Sequence, residues 1–320
     1  MKKFFLSFFL LSLILVAGFF YWFYDNAKAV SGDKVFQNFI IEKGASATQI
    51  GLNLQKEGLI KSPLAFKIYL RGSGLSSSLQ KGEFRLSQSM NIFEIVSALQ
   101  KGPIEVWTTI PEGLRREEVA QKFVESLNKD TDFVAEFLNL TKGKEGYLFP
   151  DTYLFPREVS AKTVVNTMTK NFEEKTQGLN LTYDQVILSS MLERETKTDA
   201  ERPIVAGIIL NRLNNNWPLQ IDATNQYATA NVKCQMINAK CDWWPILSLD
   251  DIERPSPYNT YKNTGYPPAP IANAGISSLK ASANPESSDY FFYIHDPTGQ
   301  IHYAKTLSEH NANIRKYLGK

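Results

Sequence analysis

The stretch Leu188-Ser-Ser-Met-Leu-Glu-Arg-Glu-Thr-Lys-Thr-Asp199 places two glutamates at the end of an apolar segment. The apolar residues recur at helical spacing, which predicts an amphipathic helix. They are Val186, Ile187, Leu188, Met191 and Leu192. Glu195 continues this apolar stripe, whereas Glu193 falls on the side of Ser189. A carboxyl at the edge of an apolar face loses hydration, so its pKa rises and it can act as a general acid near neutral pH.

A purely structural interpretation of the same helix is also open. Most helix glutamates are solvated, and a glutamate at such an edge can pair with a basic residue such as Arg194 or Arg202. The helix alone does not distinguish a catalytic glutamate from one that forms an ion pair. The other motifs of the chain are needed to choose between these two interpretations.

Six segments, taken in order, resemble the YceG-like endolytic murein transglycosylases. They are Glu145-Gly-Tyr-Leu-Phe-Pro-Asp-Thr-Tyr153, Met191-Leu-Glu-Arg-Glu-Thr196, Glu201-Arg-Pro-Ile-Val-Ala-Gly-Ile-Ile-Leu-Asn-Arg-Leu213, Leu219-Gln-Ile-Asp-Ala-Thr224, Pro257-Tyr-Asn-Thr-Tyr-Lys-Asn-Thr-Gly-Tyr-Pro-Pro268 and Leu279-Lys-Ala-Ser-Ala-Asn-Pro285. The resemblance covers nearly the whole chain. It implies that the catalytic residue is the glutamate before Thr in the Glu-x-Glu-Thr motif, which here is Glu195.

The resemblance also implies the reaction. Lytic transglycosylases of this kind cut the bond between N-acetylmuramic acid and N-acetylglucosamine within peptidoglycan strands. One glutamate protonates the glycosidic oxygen and then takes the proton of the muramic 6-hydroxyl, which attacks C1 and leaves a 1,6-anhydro end. The expected partners are glycan strands and peptidoglycan synthases. Two alternatives stay open, a non-catalytic wall-binding scaffold and a lysozyme-type hydrolase with a second carboxylate.

Several polar segments are candidates for the substrate groove. The aromatic and acidic loop 145–153 could stack on sugar rings or fill a core, and Asp222, Asp151 and Glu145 are candidates for a second carboxylate. The Pro-rich segment from Arg254 to Ile271 is too long for a connector, and its hydroxyl and amide groups suit a polyhydroxylated ligand. The predicted substrate-binding residues are Glu145, Tyr147, Asp151, Thr152, Asp222, Thr224, Tyr258, Asn259, Thr260 and Tyr261.

The chain departs from the resemblance between Ala228 and Pro245, where Cys234, Cys241 and two tryptophans occur. In an exported, oxidising compartment these two cysteines can form a disulfide, and the alternative is a pair of free thiols. The departure leaves the expected chemistry intact and concerns the wall of the substrate groove.

The N-terminus predicts a single membrane anchor. Residues 4–24 carry no charge and are long enough to cross the ~30 Å hydrocarbon core at about 1.5 Å per residue. Lys2 and Lys3 precede them, so the N-terminus is expected in the cytoplasm and the remaining chain outside the inner membrane. A cleaved signal peptide ending at Ala17-Gly18 is the competing interpretation, which the length of the apolar run disfavours.

Length and composition bound the organisation. The 320 residues, 43% of them hydrophobic, predict an α+β protein with a transmembrane helix, a small LysM-like α+β domain and a larger α+β catalytic domain. The expected parts are an anchor at 1–26, a linker at 27–36, the LysM-like domain at 37–108, a connecting part at 109–178 and the catalytic domain at 179–320. The net charge of +2 and the lack of a basic stripe argue against nucleic acid.

The LysM-like prediction rests on a repeated layout. Segments beginning at Ile40, Arg85 and Thr109 each read as a short strand, a turn and an amphipathic helix. A generic α+β spacer fits the same spacing, so that alternative stays open. No P-loop, nucleophile elbow or metal-ligand spacing occurs, and no cofactor is expected. The three histidines, His295, His302 and His310, are expected to be surface or packing residues.

Overall fold

The computed structural model describes residues 2–42, 44–75, 79–234 and 241–319 and has a mixed α+β architecture. The helices of the described residues are α1 Lys2–Ala27, α2 Ala47–Lys56, α3 Pro63–Gly72, α4 Ile92–Lys101, α5 Arg116–Leu127, α6 Thr131–Leu140, α7 Ala161–Lys175, α8 Tyr183–Glu195, α9 Arg202–Asn214, α10 Asp222–Lys233, α11 Leu249–Glu253, α12 Ile276–Ala283 and α13 Leu307–Asn313. The strands are β1 Phe36–Ile41, β2 Gly82–Ser87, β3 Glu105–Thr109, β4 Thr152–Pro156, β5 Phe292–His295 and β6 Ile301–Ala304. They pair as β1–β2, β3–β4 and β5–β6.

The chain divides into two compact units. The first contains residues up to Val106 together with Leu154–Glu158, and the second contains Trp107–Tyr153 and everything from Val159 onward. The chain therefore changes unit inside strands β3 and β4 rather than in a loop. The predicted domain boundaries at 26/27, 36/37, 108/109 and 178/179 all stay predictions.

The first unit shows the predicted strand, turn and helix layout. β1 pairs with β2 in antiparallel register from Phe36 opposite Ser87 to Ile41 opposite Gly82. Gly44 provides the left-handed turn after β1, with φ at 82°, a conformation that few other residues adopt. The helices α2, α3 and α4 cover this sheet with a shared apolar core. Helix α3 is an addition to the predicted layout, although Ser62 as N-cap and a proline in its first turn are ordinary start signals.

Helix α1 is the helix in the described residues that is long and apolar enough to cross a membrane, over Ser7–Ala27. Its last turns are packed rather than free, because Trp22, Phe23 and the buried Ala27 contact the core of the first unit. The following segment is also held. The N–H groups of Val30 and Ser31 both donate to the Gln88 carbonyl, at 3.1 and 3.2 Å.

Helix α8 is buried within the second unit, and its burial contradicts the prediction of an amphipathic helix. Every residue from Val186 to Leu192 is buried, including Ser189 and Ser190, so the helix is enclosed on all sides and is not amphipathic. The two serine hydroxyls are buried without penalty because they donate to the carbonyls of Val186 and Ile187, at 2.8 and 2.7 Å. Helices α9 and α12 pack against α8.

The C-terminal part of the second unit contains a β-hairpin. β5 and β6 pair in antiparallel register, with Tyr293 opposite Tyr303 and His295 opposite Ile301. After the hairpin, the chain continues in α13 and a π-helical turn over Ile314–Leu318. Strand β5 of this hairpin brings Tyr293 to Glu195 at the end of α8.

One buried amide ties three loops of the second unit together. The side-chain oxygen of Asn273 accepts from the N–H groups of Gly146 and Leu148, both at 2.9 Å. Its amide nitrogen donates to the Leu114 carbonyl at 3.0 Å and to Glu145 at 2.8 Å. Asn273 is 1% exposed, so water cannot replace these partners if the side chain is removed.

We predict that Asn273→Ala destabilises the protein by about 3 kcal/mol or more, since it leaves several buried donors and acceptors without partners. Asn215→Ala is the matched control, because the Asn215 amide is exposed and bonds only the Asn211 carbonyl among the described residues. Asn215→Ala should change the free energy of unfolding by no more than roughly 0.5 kcal/mol. Urea unfolding of both variants measures the difference, and equal midpoints would contradict the role assigned to Asn273.

Candidate active site

Glu195 is the last residue of helix α8. The helix starts after Thr182, whose hydroxyl accepts from the Gln185 N–H in a capping box. It stops because Thr196 takes an extended conformation, although the Thr196 N–H still donates to the Leu192 carbonyl at 3.1 Å. The Glu195 carboxyl therefore lies at the negative end of the helix dipole, which disfavours its charged form.

A cavity of about 310 Å³ opens beside Glu195. Its lining residues come from α8, α9, α10, α13, strand β5 and the loops between them. They are Glu195, Ile208, Ile209, Arg212, Leu219, Gln220, Ile221, Asp222, Tyr261, Tyr293 and His310. Two carboxyl groups, one guanidinium and two phenols thus meet beside a few aliphatic side chains, so the cavity presents mainly polar groups to a ligand.

Burial raises the pKa of Glu195 above its ordinary value, and this is the largest influence on it. The hydrogen bond from Tyr293 acts in the opposite direction and stabilises the carboxylate. The negative charge of Asp222 raises the pKa, while His295 and Arg194 lower it. The balance favours a carboxyl that keeps its proton to higher pH than a solvated glutamate, which is the requirement for a general acid.

Tyr293 is the direct partner of Glu195. Its hydroxyl donates to Glu195 Oε2 at 2.7 Å. Burial, followed by the nearby charge of Glu195, raises the pKa of Tyr293 well above its ordinary value, so the phenol stays a neutral donor. With Oε2 occupied as an acceptor, Oε1 is the oxygen of Glu195 left to carry a transferable proton.

Asp222 and Arg212 also line the cavity. Tyr261 donates its hydroxyl to Asp222 Oδ1 at 2.6 Å, and burial raises the pKa of Tyr261. Arg212 is held by the chain itself, since it donates to the carbonyls of Phe291 and Leu219, both at 2.7 Å. Burial lowers the pKa of Arg212, but a guanidinium keeps its charge in proteins.

The neighbouring Glu193 has a different setting. It accepts hydrogen bonds from the Gly275 N–H at 3.0 Å and the Ser278 hydroxyl at 2.8 Å. It also forms an ion pair with the buried Arg202, at 3.3 Å. Glu193 does not line the cavity, and its acceptors are occupied by groups that join α8 to α9 and α12. The geometry therefore supports Glu195 as the acid and Glu193 as a structural residue.

Three of the predicted substrate-binding residues lie behind the cavity wall. Thr224 and Thr260 are buried and their hydroxyls lie 2.9 Å apart. The Thr260 hydroxyl also accepts from the Ile221 N–H at 3.0 Å. Asn259 is fully buried and donates to the carbonyls of Ile252 and Arg254. These contacts fix the long loop against α10 and place Tyr261 beside Asp222, so their role is to shape the wall.

Apart from Asp222 and Tyr261, the remaining predicted substrate-binding residues do not line this cavity. The buried Glu145 accepts from the Arg116 N–H and from Asn273, and burial, with Glu117 nearby, raises its pKa. Tyr147 packs edge-on against Phe172 at 5.0 Å between ring centroids. Of the predicted second carboxylates, only Asp222 shares the cavity with Glu195.

Asp151, Thr152 and Tyr258 also have structural partners. Asp151 accepts from Asn171 at 3.0 Å and pairs with Lys175 at 3.2 Å, and these hydrogen bonds lower its pKa against the opposing effect of burial. The Thr152 hydroxyl lies 3.0 Å from that of Thr109. The Tyr258 ring packs at 4.9 Å from the ring of Tyr227, which is mostly buried.

Sequence reasoning missed several residues of the cavity. Arg212 and Gln220 lie within quoted motifs, and Gln220 has an unusual φ of 55°, but nothing in their types marks them as functional. Tyr293 and His310 come from the C-terminal hairpin and α13. His310 packs against Phe292, and its buried Nδ1 has no hydrogen-bond partner within the described residues.

The other two histidines have acidic partners. His295 lies 2.9 Å from Glu201, and His302 lies 2.9 Å from Asp296. Among the described residues, no group of three or more His, Cys, Asp or Glu side chains could hold a metal ion.

The segment from Ala228 to Pro245 departs from the family resemblance, and its two tryptophans contact other parts of the second unit. Cys234 and Cys241 are joined by a disulfide, with Cα atoms 5.7 Å apart, and residues 235–240 between them lie outside the described residues. The Arg115 guanidinium lies 4.8 Å from the Trp243 ring centroid. The Trp244 ring lies against the Arg194 guanidinium at 3.9 Å, and its N–H donates to Glu118 at 2.9 Å.

Comparisons with known proteins agree with this picture. A protein of Bacillus subtilis (strain 168) named endolytic murein transglycosylase is 30% identical over 95% of this chain and 91% of its own length. A protein of Streptococcus pneumoniae serotype 2 with the same name is 28% identical over 99% of this chain, which spans 65% of the pneumococcal protein. The crystal structure of a putative yceG-like protein from Listeria monocytogenes, 29% identical, superposes with a TM-score of 0.53 over 88% of this chain and 99% of that one.

The family model of the YceG-like family matches residues 39–316, which is most of the chain and includes every residue that lines the cavity. The chain therefore belongs to the YceG-like family.

Proposed function

We propose that this protein is an endolytic lytic transglycosylase that cuts the β-1,4 bond between N-acetylmuramic acid and N-acetylglucosamine inside peptidoglycan strands. The observation that carries the proposal is the Glu195 carboxyl, whose pKa is raised by burial and which faces a cavity with Asp222 and Tyr261. The relatives named endolytic murein transglycosylase support the same substrate class.

In the first half of the reaction, Glu195 acts as the acid. Its proton passes to the glycosidic oxygen, the bond from that oxygen to C1 breaks, and positive charge develops on the muramic ring. Glu195 is left as a carboxylate, and the Tyr293 hydroxyl at 2.7 Å stabilises that negative charge. In the second half, Glu195 takes the proton of the muramic 6-hydroxyl, and this oxygen bonds to C1. The enzyme returns to its starting state without consuming water.

Asp222 supports a second candidate, a lysozyme-type hydrolase. It is the other carboxyl in the lining of the cavity, and its charge acts on Glu195. A hydrolase would use it to activate water or to form a covalent intermediate. In the transglycosylase, the same charge stabilises the positive C1 centre, while the substrate's own hydroxyl replaces water with a high effective molarity.

The cellular setting is also proposed. Helix α1 anchors the protein in the inner membrane with its N-terminus in the cytoplasm, and both units lie outside. The first unit, in its part from 37 to 108, binds the glycan as a LysM-like module. Substrate-binding roles are proposed for Asp222 and Tyr261. Peptidoglycan synthases are the expected neighbours, since cleavage within new strands terminates their elongation. A scaffold without activity would bind glycan in the same place but release nothing.

We predict that Glu195→Gln lowers the release of anhydro-muropeptides by at least about a hundredfold, because the amide keeps the shape and loses the proton. The pKa of Glu195 is higher in the folded protein than in the unfolded chain, so ionisation of this carboxyl destabilises the fold once the pH exceeds its unfolded-state pKa. At pH 7 the Gln variant should therefore unfold at the same or a higher temperature than the unsubstituted protein. Glu193→Gln is the matched control. Below its melting temperature, Glu193→Gln should still cleave peptidoglycan. If Glu193→Gln loses activity and Glu195→Gln keeps it, Glu193 is the acid and our assignment of Glu195 is wrong.

The fate of water separates the two candidate reactions. Because the 6-hydroxyl attacks C1, digestion of peptidoglycan in heavy-oxygen water should leave the new muramic ends unlabelled. Their mass should be about 18 units below that of unlabelled ends formed by hydrolysis, since an anhydro end lacks one water. Asp222→Asn should slow the reaction without changing the product. One labelled oxygen for each cut, read by mass spectrometry, would identify a hydrolase and overturn the transglycosylase.

The pH profile tests the pairing of Tyr293 with Glu195. Tyr293→Phe removes a hydrogen bond that lowers the pKa of Glu195, so this pKa should rise further. Activity that needs the protonated acid is lost as pH rises through that pKa. The alkaline limb of kcat/KM should therefore move to higher pH, by on the order of one unit. Tyr303→Phe, on the paired strand and outside the cavity lining, should leave the limb in place. If the alkaline limb of the kcat/KM profile does not move in Tyr293→Phe, the hydrogen bond from Tyr293 does not set the pKa of Glu195.

A further inference from the structure

The end of the membrane helix and helix α3 of the first unit enclose an apolar groove of about 300 Å³. The lining is almost entirely apolar and aromatic. It consists of Phe19, Phe20, Phe23, Ile68, Tyr69, Gly72 and Ser73. The groove is thus bounded on one side by residues of the membrane span and on the other by the extracytoplasmic fold.

Helix α3 continues this surface outward. Leu64, Ile68 and Gly72 follow one another at intervals of four, so they form one stripe on the helix, and Leu64 is 56% exposed. Lys67 and Arg71 form the adjoining stripe at the same spacing. Among the ion pairs of the described residues, none involves these two side chains. An apolar stripe beside a basic one is the pattern of helices that lie at an anionic membrane surface.

The height of α3 relative to the span is fixed by packing. Trp22 and Phe23 contact the core of the first unit, and Ala27 is 1% exposed within it. The N–H groups of Val30 and Ser31 bond to the Gln88 carbonyl beyond the helix. About 20 residues at 1.5 Å each cross the hydrocarbon core. A span that begins near the N-terminus of α1 therefore ends around Phe20–Phe23, level with Ile68 and Tyr69.

We propose that this groove takes an acyl chain of an anionic phospholipid of the outer leaflet, while Lys67 and Arg71 bind its phosphate. The inference rests on the membrane anchoring proposed for α1. Continuity of the groove with the span selects lipid as the occupant, and the two basic side chains select an anionic headgroup. The first unit then rests on the membrane as one rigid piece with its anchor, and the short segment after α1 does not act as a free tether.

The test uses the full chain in phosphatidylglycerol vesicles, with an environment-sensitive fluorophore on a single introduced thiol. The Ile68→Cys probe reports on the groove, and the Leu15→Cys probe reports on the span. Lys162→Cys, on an exposed position of α7, is the solvent reference. We expect nitroxide-labelled lipid to quench the probes at Ile68 and Leu15, and aqueous iodide to quench only the probe at Lys162.

A charge variant tests the headgroup. Lys67→Gln with Arg71→Gln should weaken the lipid quenching at Ile68, by about fivefold in the docking equilibrium for each charge removed. Phosphatidylcholine vesicles should have the same effect on the unsubstituted chain. The probe at Leu15 should be unaffected in both cases, because the span does not depend on these charges.

The outcomes separate this inference from the anchor on which it rests. If Leu15 is not quenched by lipid, the membrane span itself is wrong. If Leu15 is quenched but iodide reaches Ile68, the span holds and the docked groove is overturned. If neither quencher reaches Ile68, a protein surface covers the groove, such as a second copy of the chain, and the lipid assignment is overturned.

Discussion

The site depends on a partly buried carboxyl group at the end of a helix whose middle is buried. Helix α8 is enclosed from Val186 to Leu192, so the chain delivers Glu195 into a region with little water. An ionised carboxylate is costly there, and a protonated one is not. The Tyr293 hydroxyl reduces that cost for the charged form without removing it. The acid role proposed for Glu195 requires a group that gives up a proton and takes another within one turnover, and this balance suits that role.

The surrounding structure keeps the other acidic groups from competing for that role. Glu193 is bound to Arg202, Ser278 and the Gly275 N–H. Glu145 is held in the buried network around Asn273. Since the acceptors of these carboxyls are occupied by protein groups, they hold helices and loops together. Glu195 differs from them because it lines the cavity, and Tyr293 is its hydrogen-bond donor among the described residues.

Much of the fold was predictable from local patterns. The strand, turn and helix units at Ile40, Arg85 and Thr109 form as predicted, because turn residues and alternating apolar positions act locally. The amphipathic interpretation of α8 was wrong for a physical reason. A helix covered on every side, with Ser189 and Ser190 satisfied by their own backbone, has no polar face for periodicity to reveal.

The partners of Glu195 could not be predicted in the same way. Tyr293 lies 98 positions further along the chain, and its residue type is as common in cores as in sites. The ten predicted substrate-binding residues were chosen by chemistry, and only Asp222 and Tyr261 among them line the cavity. Thr224, Asn259 and Thr260 instead hold the wall from behind, since their hydrogen bonds are to the protein itself.

The position of Asp222 explains how two carboxyls can share one cavity without sharing one function. Its oxygen Oδ1 accepts from Tyr261, whose hydroxyl stays protonated because burial raises its pKa. The charge of Asp222 raises the pKa of Glu195 before substrate arrives. In the proposed reaction, positive charge develops on the muramic ring as the glycosidic bond breaks, and the negative charges of the two carboxylates then stabilise it. The pair therefore favours the transition state over the resting enzyme, and this holds whether water or the muramic 6-hydroxyl completes the reaction.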